Sequence, residues 1–281
     1  MRTLVINSSN YVQGSGNQYT YFFPSSYSVK DGDQIGVANI SIYNSTFNIT
    51  AARGNNTLQI KWSNGTTYSL TLSDGYYGSS DLNYALQQFC ITNNLYCTTS
   101  SGNYVYFLEI VQNTPLYALQ INSYYIPTSA NATTLGYTLP SGATWSFPAT
   151  NTCPQLIVTA SMGNILGFSA GSYPPAQQAS NYQITSTKTP IVSPIDSYIL
   201  TCSMINSPLS IPSDVFFTVP LNGSLGTLIT LNPSQIVFND IAPNQYQSVT
   251  IRLYDQLFNP LVLNDKEMTL TLAILRASER G

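Results

Sequence analysis

Met268-Thr269-Leu270-Thr271-Leu272-Ala273-Ile274-Leu275 sets Met268, Leu270, Leu272 and Ile274 on one side of an extended backbone and Thr269, Thr271 and Ala273 on the other. A period of two is the signature of a strand with one packed face and one free face. Working outward from it, residues 248–254 repeat the pattern, with Val249, Ile251 and Leu253 against Thr250, Arg252 and Tyr254. Residues 35–43 do so again, with Ala38, Ile40 and Ile42 facing away from Asn39, Ser41 and Tyr43. Strands at both ends of the chain, each with one apolar face, predict a core between two sheets.

The intervening sequence supports this reading. Tyr19-Thr20-Tyr21-Phe22-Phe23 reads as a strand before a Lys30-Asp31-Gly32-Asp33 turn. Residues 58–62 and 68–72 flank Ser63-Asn64-Gly65-Thr66, where Asn-Gly supplies the positive φ angles of a tight hairpin. A helix follows, capped by Ser80 or Asp81, with Leu82, Ala85, Leu86 and Phe89 at helical spacing up to Asn93-Asn94. Further strands are expected at 105–111, 116–121, 198–205, 215–219, 228–231 and 235–238. A Pro/Gly/Thr-rich loop occupies 127–154, and a short apolar segment 162–168. Many short strands at turn-marked intervals predict an all-β fold, a single jelly-roll β-sandwich carrying an inserted, mostly β subdomain with one short helix.

Charge divides the chain. Between Lys61 and Lys188 there is no basic residue, and only Asp74, Asp81 and Glu109 carry negative charge. The expected division is a base of residues 1–75 and 183–281, with residues 76–182 as the insertion. No solenoid-length repeat is visible.

Charged residues make up 7% of the 281 positions, against roughly a quarter in ordinary soluble proteins. Ser, Thr, Asn, Gln and 21 Tyr supply the polarity, and the formal net charge is −3. Neutral polar groups can be covered by a partner without the desolvation cost of an ion. Interface cores are likewise poor in charge and rich in Tyr. The composition fits a subunit built to be packed against others, and equally a lectin-like or stalk-like β protein. Met1-Arg2-Thr3-Leu4-Val5-Ile6-Asn7 contains no signal-peptide core, and no stretch has the apolar length of a membrane span, so the expectation is assembly inside the cell.

Catalytic chemistry finds little to use. Histidine is absent, removing the commonest general base and zinc ligand. The carboxylates that could pair, Asp74 with Asp81 and Asp255 with Asp265 and Glu267, sit at turns, where they serve backbone amides. Asp31-Gly32-Asp33 is too short for a calcium loop, and Gly14-Ser15-Gly16 lacks the context of a phosphate loop. Cys90, Cys97, Cys153 and Cys202 have neither disulfide-framework nor zinc-site spacing and read as buried thiols. No catalytic residue, cofactor or metal site is expected. Arg2, Arg276 and Arg280 cluster at the termini and are the candidate genome-facing cations. Trp62 and Trp145, the usual kind of sugar anchor, lie in separate segments.

Three stretches carry a resemblance: Asp74-Gly75-Tyr76-Tyr77 with Asp81-Leu82-Asn83-Tyr84-Ala85-Leu86; Asn164-Ile165-Leu166-Gly167-Phe168 with Gly171-Ser172-Tyr173-Pro174; and Ile251-Arg252-Leu253-Tyr254-Asp255-Gln256. In this order they resemble the minor capsid (penton) proteins of virophages, Polinton-like viruses and adintoviruses. The resemblance implies a jelly roll standing at the fivefold vertex of an icosahedral DNA virus capsid. It further implies a homopentamer ringed by double-jelly-roll major capsid protein, with the insertion as an outer head and no enzymatic activity. Packaged DNA and a host receptor are the further partners it suggests. The alternative reading is a receptor- or carbohydrate-binding β-sandwich module, and a third is a glycoside hydrolase resting on the remaining carboxylates.

Overall fold

The structure is a computed structural model and describes residues 1–191 and 195–279. Strands β1 (Arg2–Asn7), β2 (Gln18–Val29) and β3 (Gln34–Tyr43) open the chain. Then come β4 (Thr57–Lys61), β5 (Thr67–Thr71), helix α1 (Ser79–Thr92), β6 (Cys97–Thr98) and β7 (Tyr104–Val105). These are followed by β8 (Leu108–Asn113), β9 (Ala118–Ser123), α2 (Ser129–Leu135), β10 (Gln155–Val158), α3 (Ala160–Leu166), β11 (Gly171–Tyr173) and β12 (Tyr182–Thr185). The chain finishes with β13 (Ser197–Cys202), β14 (Val215–Pro220), β15 (Leu228–Leu231), β16 (Phe238–Asp240), β17 (Asn244–Tyr254) and β18 (Met268–Leu275).

Two compact units result, one of residues 1–46 and 195–281, the other of residues 47–194. The divisions thus fall at 46/47 and 194/195, not at the 75/76 and 182/183 read from the charge pattern. The reason is pairing. The hairpin β4–β5 hydrogen-bonds to β10, so it belongs to the second unit although Arg53 and Lys61 precede the chargeless run.

In the first unit the sheets run β1-β18-β3-β15, with β16 also on β3, and β14-β13-β17-β2. Counting its long strands in chain order and setting β16 aside, these are 1-8-3-6 and 5-4-7-2. That is the strand order of an eight-stranded jelly roll, in which strands close in space come from opposite ends of the chain. The second unit is inserted between the third and fourth of these strands. Every pairing is antiparallel, and Arg2 lies opposite Ile274. The two inner faces bury Ile6, Ile35, Ile40, Leu270 and Leu272 against Tyr19, Leu200, Val249, Ile251 and Leu253.

Strand β3 departs from the simple alternation. The register against β18 shifts so that Thr271 faces Asn39 and Leu272 faces Val37, which leaves Ala38 as the extra residue of a bulge. The buried set is therefore Ile35, Val37, Ile40 and Ile42, and Ala38 is only half-buried. A bulge changes the phase of a strand once, which a fixed period of two cannot represent.

The second unit holds two further sheets, β11-β10-β4-β5 and β12-β9-β8, and a short β6-β7 pair. Among the described residues it has three helices where one was expected. Helix α1 starts at Ser79 with Gly78 as its cap, two or three residues before the expected cap at Ser80 or Asp81, and Asp81 reaches back to accept the Gly78 N–H at 2.9 Å. Helices α2 and α3 are seven residues each, too short for a periodic signal, but both carry local brackets. Thr128 and Thr159 cap their first turns, and Gly136 and Gly167 end them in the left-handed conformation. At Gly167 a side chain would also collide with the Lys188 carbonyl.

Candidate functional site

The paired carboxylates make local hydrogen bonds. Asp74 accepts the Ala51 N–H (2.7 Å), while Asp81 is committed to the α1 cap. Asp255 accepts the N–H groups of Leu257 and Asn259, each at 2.8 Å, and Asp265 accepts that of Glu267. Glu267 accepts the Ser8 hydroxyl, and Glu109 the Tyr124 hydroxyl at 2.9 Å. Each acid thus serves a turn, a cap or a neighbouring hydroxyl, as its sequence context suggested.

All four cysteines are buried and unpaired. Burial pushes the Cys90, Cys97 and Cys202 thiols up to about 12, leaving them protonated and unreactive. Among the described residues no group of three His, Cys, Asp or Glu side chains gathers as metal ligands would. No helix among them is long and apolar enough to cross a membrane. Asn44, Asn48 and Asn55, each followed two positions on by Thr, are buried and donate through their side chains to backbone carbonyls. Trp62 and Trp145, distant in sequence, meet edge to face at 5.1 Å inside the second unit's core. They are packing residues, not a sugar platform.

Of the terminal arginines, Arg280 lies outside the described residues. Arg2 is exposed at the start of β1 opposite Ile274, so β18 brings it to the same end of the sandwich as Arg276. Arg276 is half-buried, with its guanidinium 5.4 Å from the Tyr27 ring centre. Asp33 faces the same cluster. Burial alone would raise its carboxyl, but the N–H groups of Ala277 and Lys30 and the charges of Arg276 and Lys30 together hold it below the ordinary carboxylate range. Asp31 and Asp240 share this end through the Lys30–Asp33 turn and the β16–β3 pairing. The cations are matched by acids, which weakens any attraction for a polyphosphate.

What the surface does offer is uncharged. In the first unit Phe22 is 73% exposed, and Leu209 and Ile211, in the β13–β14 connection, are 95% and 94% exposed. Nothing in strand periodicity singles out these two loop residues; the apolar pair between Pro208 and Pro212 in a Ser-rich loop is the only sequence signal they carry. The most exposed tyrosines are in the second unit, where Tyr84, Tyr104 and Tyr117 are more than half exposed. There the groove between α1 and β5 has a volume of about 500 Å³, and an adjoining hollow of about 330 Å³ is walled by Tyr76, Tyr117 and Pro190.

No family model matches this chain, and no curated protein matches it. Two solved structures are similar to it over nearly their whole lengths. One is the crystal structure of the selenomethionine-labelled mavirus penton protein, 9% identical, covering 98% of this chain and 99% of that one at a TM-score of 0.42. The other is the structure of the Sputnik virophage by cryo-EM, 11% identical, covering 99% of both chains at a TM-score of 0.36.

Proposed function

We propose that this chain is a structural virion protein, the penton subunit at the fivefold vertex of an icosahedral DNA virus. In this reading it forms a homopentamer set in a shell of double-jelly-roll major capsid protein and has no enzymatic role. The observation that carries the reading is the strand order 1-8-3-6 over 5-4-7-2, interrupted by one large insertion between the third and fourth strands. Jelly rolls serve chiefly as capsid, lectin and cupin domains. A cupin's metal-binding histidines are missing here, because the chain has none. The three motifs that resemble penton proteins also sit where the fold turns. Asp74–Tyr77 leads into α1, Gly167 ends α3, and Asp255 closes the turn after β17.

In this arrangement the first unit is the base and residues 47–194 the outer head. A ring of five uses heterologous contacts, one patch of each subunit meeting a different patch of the next until the ring closes. Exposed apolar side chains such as Phe22, Leu209 and Ile211 suit such contacts, since burying each contributes about 1.5–3 kcal/mol.

Native mass spectrometry of the full chain with the major capsid protein tests the reading. A pentamer is expected, and Leu209→Asp with Ile211→Asp weakens it while leaving monomer stability within about 0.5 kcal/mol. A chain that stays monomeric beside the shell proteins, or a particle reconstruction that places residues 47–194 in the inner layer, overturns it.

A further inference from the structure

The motif Asp74–Tyr77 with Asp81–Leu86 contributes Tyr76, Tyr77, Asp81, Tyr84 and Ala85 to a surface groove. Helix α1 presents Asp81, Tyr84, Ala85 and Gln88 on one face, three, four and seven residues apart, toward the end of β5. Between them lies the groove of about 500 Å³. Its floor is apolar, from buried Leu70 and Leu72 with half-buried Ala85. Tyr76, Tyr77 and Tyr84 line it as well. Its rim is Thr71, Ser73, Asp81 and Gln88, all exposed. Tyr76 also lines the adjoining hollow with Tyr117, so one ring is shared by two neighbouring concavities.

The groove is held in shape before any ligand arrives. Asn48 is buried and clamps Tyr77 from both sides: its Nδ2 donates to the Tyr77 carbonyl (2.9 Å), and its Oδ1 accepts the Tyr77 N–H (2.8 Å). The Tyr77 hydroxyl donates to the Ser73 carbonyl (2.9 Å). Gly75 exchanges both backbone hydrogen bonds with Ile49, and a side chain there would stand 2.9 Å from the Tyr77 ring. The segment is therefore fixed by five hydrogen bonds.

The chemistry of the lining selects the ligand. Among the described residues no Lys or Arg lines the groove, and the one charged group is an acid, so anionic ligands are repelled and uncompensated. Aromatic faces carry negative potential and attract the C–H faces of a pyranose ring. Neutral hydroxyl and amide groups around an apolar floor match ring hydroxyls. We infer that the Tyr76–Tyr77–Tyr84 groove binds a neutral oligosaccharide, with Tyr84 and Tyr76 as stacking platforms, Gln88 and Asp81 as hydroxyl partners, and the Tyr76–Tyr117 hollow taking the next sugar. This assignment does not depend on the penton reading, because it is a property of the second unit alone.

Saturation-transfer NMR on the full chain tests it with cellotriose, maltotriose and N,N′,N″-triacetylchitotriose as neutral probes, 3′-sialyllactose as the anionic probe and choline as the cationic probe. At least one neutral trisaccharide shows saturable transfer and binds more tightly than its monosaccharide. Tyr84→Ala weakens it about tenfold, the loss expected of one stacking aromatic, whereas Tyr84→Phe retains binding and Gln88→Ala weakens it less. Both sites are exposed, so unchanged circular dichroism accompanies the losses. The assignment falls if none of the neutral probes shows transfer, if Tyr84→Ala and Gln88→Ala leave transfer unchanged, or if sialyllactose or choline is preferred. It falls equally if disulfide trapping through Gln88→Cys shows that the groove is covered by a second copy of the chain. Pentamer formation is read separately by native mass spectrometry, so failure of one reading is distinguishable from failure of the other.

Discussion

The two units solve the same problem with opposite materials. The first buries aliphatic side chains between long strands whose partners lie far apart in sequence, β1 with β18 and β2 with β17. The second uses shorter strands, three helices and an aromatic centre of Trp62, Phe107 and Trp145. Its sheet partners are separated by at most about a hundred residues, all inside one continuous segment. The lesson is about closure. A jelly roll is complete only when both chain ends are in place, whereas an insertion that contains all its own pairings can vary in content without disturbing the strand order around it.

The sharpest way to break this contrast is to truncate one core at a time. Leu272 and Leu86 are both fully buried, and each Leu→Ala change is expected to cost about 2–5 kcal/mol. In calorimetry, Leu272→Ala lowers the transition of the first unit and Leu86→Ala that of the second. If both changes shift a single common transition, the units are not thermodynamically separate.

Gly167→Ala comes next. The residue has φ +78°, and an added side chain meets the Lys188 carbonyl and Ser186, so the loss exceeds the roughly 1–2 kcal/mol of left-handed strain alone. Its chemical-shift changes are expected around α3 and near Lys188, and not in β1 or β18. Removing the α3 cap by Thr159→Ala costs about 1 kcal/mol, again in the second unit's transition only.

The smallest effect is confined to acid and to the first unit. Because Asp33 is held below its ordinary value in the folded chain, its ionised form stabilises that unit above the ordinary carboxylate pKa of about 4. That stability is lost as pH falls through the lower folded value. Urea unfolding followed against pH shows a steeper acid limb for the native chain than for Asp33→Asn, with no change in the second unit's limb.

How far each unit was legible follows from the same contrast. Strands β17 and β18 have many residues in one alternating frame, and their buried faces match the periodic reading except at Ala273, which was read on the opposite face and is buried as well. β1 escaped it, because Arg2–Asn7 is an edge strand whose exposed Val5 is as apolar as the inward Leu4 and Ile6, which hides the alternation. Helices α2 and α3 escaped because two turns cannot establish a period, although Thr128, Gly136, Thr159 and Gly167 bracketed them. The groove was half visible: Tyr76, Tyr77, Asp81 and Tyr84 stood in a quoted motif, but Leu70, Leu72 and Gln88 joined them only through the packing of α1 beside β5.

Sequence alone therefore determined what is local: most strand faces, the β4–β5 hairpin, in whose turn Gly65 but not Asn64 takes positive φ, the α1 stripe and the neutral polar character of the surface. Each depends on residues a few positions apart, whose geometry the backbone imposes. Only the tertiary structure decided the strand order, the bulge at Ala38, the unit divisions at 46/47 and 194/195, and the meeting of Trp62 with Trp145. These depend on which distant surfaces exclude water together, a choice made by the whole chain at once.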